Sequence, residues 1–107
     1  MDDADADDTA VEAADSADAL ERALREEARS HGLFSLLGVD LVSARDGRAV
    51  LTLPFDERFT NLANVSMHGG LTATLVDTAS GFALRTTLGG SADLTTTDMN
   101  VRYLRPA

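Results

Sequence analysis

Residues 68–90 read HGGLTATLVDTASGFALRTTLGG, with Asp77 and Arg85 as the two charged side chains inside the run. Leu71, Leu75, Ala79 and Phe82 recur at helical spacing, which predicts a helix over 70–87 that Gly89-Gly90 stops. A helix so apolar on most sides is expected to be buried. At 1.5 Å per residue it is about 27 Å long and needs a broad surface to cover it. The rest of the chain offers three strands. Residues 39–45 and 48–53 flank Asp46-Gly47, a two-residue hairpin turn, and Pro54 ends the second strand. Residues 93–106 alternate between apolar and polar side chains around Met99, Val101 and Tyr103, which predicts the third strand. An α+β layer arrangement follows, and three strands make a narrow sheet for this helix. Further strands are expected from a longer parent chain or from a partner.

The N-terminal part has a different character. Residues 1–18 carry eight acids and no base, whereas the rest of the chain carries ten acids and nine Arg. The net charge of −9 is therefore a property of the tail. Residues 1–15 are expected to form an acidic disordered tail, and 16–107 a single domain. A helix is predicted from a cap at Asp15 or Ser16 to a stop at Gly32. Leu20, Leu24 and Ala28 form its narrow apolar stripe, with Glu21, Arg25 and Arg29 on the outer side. His31 sits in its last turn, where a structural role is expected. Phe34, Leu36 and Leu37 read as a short apolar link.

Every basic residue except the two histidines is Arg, and Lys is absent. High-salt adaptation and a GC-rich genome both account for that bias. The lack of cysteine excludes disulfides and thiolate metal sites. His31 and His68 are too far apart in sequence to suggest a zinc or iron site. No basic patch points to nucleic acid, and no apolar run approaches the roughly 20 residues of a membrane span. A soluble cytoplasmic protein is expected.

Two features of the long helix carry chemistry. The helical neighbours of Asp77 are Ala73, Thr74, Ser80 and Gly81, none of them basic. A carboxylate inside a buried helix without a counter-charge is costly, and such groups often act as bases, nucleophiles or water-holders. The alternative is an Asp that bonds Thr74, Ser80 or a strand amide and does nothing else. At the other end, Gly69 and Gly70 would let a ligand approach the first amides of the helix, where the dipole favours an oxyanion. The alternative there is a tight turn, with His68 either orienting a ligand or capping. Gly69 and Asp77 lie eight residues apart, about 12 Å along the axis. If both act on one carbonyl, they must come from two copies of the helix packed antiparallel across a two-fold dimer.

HGGLTATLVDTASGFAL, followed after a Gly-rich turn by TTTDMNVRYLRPA, resembles the hotdog-fold thioesterases of the phenylacetyl-CoA and small acyl-CoA type. The resemblance runs from about residue 34 to the end. It implies a long helix wrapped by a curved antiparallel sheet, a homodimer with interfacial sites, and often a homotetramer. It implies acyl-CoA as substrate and no metal or redox cofactor. Asp77 would serve as general base or nucleophile, and the Gly69 N–H would polarise the thioester carbonyl. His68 would help position the substrate beside Gly70, and Thr96 would orient the water. Arg102 and Arg105 are candidates to meet the CoA phosphates, the alternative being that they simply solvate the strand face. The family's upstream Asn falls at Leu62 by the common spacing; a one-residue loop insertion makes Asn61 its equivalent in preference to Asn64. Family members continue for about three strands past the final Arg-Pro-Ala, so the sequence resembles a truncated member. A thiolate leaves readily, so a carboxylate and oxyanion donors suffice. The alternatives are a hotdog dehydratase and a non-catalytic acyl-CoA-binding or inactive module.

Overall fold

The structure, a computed structural model, describes residues 3–89 and 93–107. The elements are helices α1 (Asp3–Ser30) and α2 (Gly32–Leu37), strands β1 (Asp40–Arg45) and β2 (Arg48–Thr52), a 3₁₀ turn at Glu57–Phe59, and helix α3 (Gly69–Thr87). No described helix is long and apolar enough to cross a membrane.

The hairpin forms where its turn chemistry requires. Asp46 and Gly47 both have positive φ, 54° and 75°, the pair of left-handed residues that a tight turn between twisted strands demands. β1 and β2 pair antiparallel from Asp40 opposite Thr52 to Arg45 opposite Arg48, with a register shift between Leu41 and Ser43. That bulge has a consequence for the core. Residues 41 and 44 would face opposite ways in a regular strand, yet Leu41 and Ala44 are both buried in one cluster. Leu24 and Ala28 of α1 and Phe82 of α3 complete it, with Leu20, Phe34, Ala49 and Leu51 packed around. Both long helices thus pack on the same face of the hairpin. Val42 and Val50 remain exposed.

Three expectations change. α1 begins at Asp3, well before the predicted caps, and so takes in most of the acidic segment expected to lack structure. Alanine, the best helix former, alternates there with acids, which suit the positive end of a helix dipole. Met1 and Asp2 lie outside the described residues. Secondly, α3 is not buried all round; Phe82 is its one buried side chain, because a two-stranded sheet covers one flank. Thirdly, residues 93–107 form no strand. Alternation reports that a segment has two faces, but a strand also needs a neighbour to bond its backbone. The segment instead lies along α3, tied to it by Thr96 and Tyr103, while its last carbonyl accepts the Met67 N–H.

Glu21 and Arg25 also fall elsewhere than predicted. They face the outer edge of β1, not solvent. Arg25 donates to the carbonyls of Leu41 (3.2 Å) and Val42 (2.6 Å), at the bulge. Glu21 accepts the Ala44 N–H at 3.0 Å and pairs with Arg45. Backbone groups that an edge strand would leave open are thereby satisfied by one turn of α1.

The Arg45 guanidinium, helped by the Ala44 N–H, lowers the Glu21 carboxyl from 4.5 to about 2. A depressed folded-state value stabilises above the unfolded value, so this contribution is present above pH 4.5 and lost as pH falls toward 2. Glu21→Gln is therefore expected to melt lower than the unsubstituted chain at pH 6. Between pH 4.5 and 2 the gap should narrow. Thermal melts of both proteins across that range check this, and a gap constant with pH would contradict it.

Candidate functional site along α3

Near the middle of α3, Asp77 lines an open cavity of about 630 Å³. Its apolar walls include Phe34, Phe82, Leu84, Leu94 and Met99. Asp77 is half-buried, less than the sequence suggested, because the flank of α3 that carries it is open. Thr96 donates to its Oδ1 at 2.5 Å. Among the described residues Asp77 forms no ion pair; the nearest basic residue along the helix, Arg85, bonds Glu27 at 2.6 Å. Thr74 and Ser80, candidates for neutralising Asp77 locally, turn back to the helix carbonyls of Gly70 and Val76. Among the described residues the carboxylate is thus oriented by one hydroxyl and paired with no cation.

The N-terminus of α3 borders a second cavity of about 470 Å³, lined by Asn61, Gly69, Thr72 and Tyr103 among others. His68 is the N-cap: its Nδ1 accepts the Gly70 N–H at 3.0 Å. An imidazole accepting at Nδ1 carries its proton, when neutral, on Nε2. The Gly70 amide is therefore engaged. The Gly69 amide is the first N–H of the helix and has no acceptor within it.

The two upstream asparagines separate clearly. Asn61 reaches the cavity, with its amide nitrogen donating to Ser66 Oγ at 3.0 Å and its Oδ1 accepting the Val65 N–H at 3.2 Å. Asn64 is a turn residue at φ 57°, its Oδ1 taken by the Thr60 hydroxyl. Asn61 and Gly69 thus share one cavity, while Asp77 and Thr96 share the other. His68, Gly70 and Arg102 line neither cavity, whereas Arg105 lines the second. Within one chain the two pairs stay apart along the helix, as the eight-residue spacing requires.

Tyr103 was not singled out by residue-level reasoning. Its hydroxyl donates to the Gly69 carbonyl, and its ring occupies the space where a Cβ on Gly69 would meet Cζ at 3.3 Å. The close approach gives a structural reason for glycine at 69. The sequence signal was the Tyr that ends DMNVRY, 34 residues after Gly69.

The model of the thioesterase superfamily matches residues 65–107, which hold most of the residues named above. A Halobacterium salinarum protein, a presumed esterase by name, is 47% identical over 81 residues, 72% of this chain and 54% of its own. Human acyl-coenzyme A thioesterase 13 is 36% identical over 89 residues, 82% of this chain and 62% of its own. The solved structure of a conserved protein from Pseudomonas aeruginosa superposes with a TM-score of 0.68 at 30% identity, covering 75% of this chain and 63% of that one. The chain thus spans between about half and two thirds of the length of these proteins.

Proposed function

We propose that the protein, which belongs to the thioesterase superfamily and carries the long helix and antiparallel hairpin of its hotdog fold, hydrolyses acyl-CoA thioesters to the free acid and CoA. In this reading residues 16–107 belong to the hotdog domain, residues 1–15 precede it, and the protein works in the cytoplasm as a homodimer or homotetramer. One observation carries the proposal: Asp77 faces a cavity with a hydroxyl partner and, among the described residues, no cationic one.

The steps balance without a cofactor. Asp77 takes a proton from a water that Thr96 helps to orient, and the water oxygen bonds to the thioester carbonyl carbon. The carbonyl oxygen becomes an oxyanion, stabilised by the Gly69 N–H at the positive end of an α3 helix. The C–S bond then breaks, CoA leaves as thiolate, and the proton on Asp77 passes to it. The roughly 12 Å between Gly69 and Asp77 assigns these two roles to different subunits. Asn61, which lines the same cavity as Gly69, assists the carbonyl, and His68 helps to position the substrate. Arg102 and Arg105 lie on the terminal segment, in reach of CoA phosphates entering beside it.

A free-thiol assay with short, long and aromatic acyl-CoAs tests the reading. Turnover with at least one is expected. Tight CoA binding with no thiol release from any of them would replace hydrolysis by a binding role, and hydration of an enoyl-CoA would make it a dehydratase.

A further inference from the structure

The Gly69–Gly70 peptide is held from both sides. Its oxygen accepts the Tyr103 hydroxyl, and its N–H donates to His68 Nδ1 at 3.0 Å. A peptide unit is planar and rigid, so two hydrogen bonds on opposite sides fix its orientation. The preceding unit, which carries the Gly69 N–H, has its oxygen bound by the Leu71 N–H at 3.0 Å. Two adjacent glycines at a helix start would otherwise have wide conformational freedom.

We propose that Tyr103 is a positioning residue for thioester hydrolysis, which with His68 clamps the Gly69–Gly70 peptide and so aims the Gly69 N–H at the substrate carbonyl. The proposal rests on the hydrolase reading for its consequence and on this geometry for the clamp. A donor aimed in advance needs no reorganisation as the oxyanion forms, whereas a swinging one loses part of that stabilisation. Tyr103 touches no reacting atom; it acts through the backbone of Gly69. A Cβ at position 69 would crowd its ring at 3.3 Å, which favours glycine there.

Tyr103→Phe retains the ring and removes the hydroxyl. The expected result is a fall in kcat of about tenfold with KM and melting temperature nearly unchanged, the pattern of an interaction needed in the transition state. Amide exchange by NMR, read at Gly70, is expected to accelerate in the same variant. A purely structural tyrosine would instead lower the melting temperature and leave Gly70 exchange alone. A kcat within twofold of the unsubstituted protein, or unchanged Gly70 exchange, overturns the proposal. Should the unsubstituted protein release no thiol, the hydrolase reading fails, and the exchange measurement alone decides whether the clamp exists.

Discussion

Asp77→Asn is expected to lower kcat for acyl-CoA hydrolysis by about 10²- to 10⁴-fold, the usual range for a general base, with KM little changed. Asparagine keeps the shape and can still accept from Thr96, so the cavity wall and the hydrogen bond of 2.5 Å survive. What it loses is the capacity to take a proton from water. Thr96→Ala, by contrast, leaves the base in place and removes its orientation, so a smaller loss is expected. Steady-state kinetics with circular dichroism as a folding control decide the matter. If Asp77→Asn retains kcat within about threefold, water activation by this carboxylate is wrong.

The second large effect concerns a backbone group, which side-chain truncation cannot reach. Gly69→Pro deletes the N–H proposed to hold the oxyanion, at a cost in kcat of about 10²- to 10³-fold. Proline is well suited to the first position of a helix, and His68 already has the extended ψ of 126° that a residue before proline adopts. Both Gly69→Pro and Gly69→Ala push a Cβ against the Tyr103 ring, but alanine retains the N–H. Alanine thus controls for crowding, and the difference between the two measures the donor. A 1:1 mixture of Gly69→Pro and Asp77→Asn chains adds a test of the two-fold arrangement. Mixed dimers contain one intact site and one doubly impaired site, so about one quarter of the unsubstituted activity is expected after subunit exchange. A mixture no more active than its components would place both groups in one subunit or assign one of them no role.

Much of the candidate site is legible in the sequence as an arrangement of residues. HGG followed by Asp77 on a charge-poor helix marks the start and the middle of α3, because a helix places residues by spacing alone. The hairpin was legible for a similar local reason: Asp-Gly is among the few pairs that accept two consecutive left-handed residues. Motif context prefers Asn61 to Asn64, and of the two Asn61 lines the cavity that Gly69 lines. The role of Tyr103 was not legible, since it depends on a segment 34 residues away folding back along α3. Nor was the bulge at residues 41–43, which brings Leu41 and Ala44 to one face against the alternation rule. Glu21 and Arg25 looked like a solvent-facing pair, because a helical pattern shows which residues share a face but not what that face meets.

From sequence alone came the elements governed by short-range rules: the apolar stripe of α1, the turn at Asp46-Gly47, the extent of α3 and the spacing of its two chemical groups. Tertiary structure decided the rest. It joined α1 to the edge of β1 and left α3 only partly covered. It put Thr96 on Asp77, clamped the start of α3 between His68 and Tyr103, and turned an expected strand into an unpaired segment beside that helix. The physical reason is the same in each case. Periodicity and turn chemistry are set within a few residues, whereas hydrogen bonds between distant segments depend on which surfaces the packed core brings within about 3 Å.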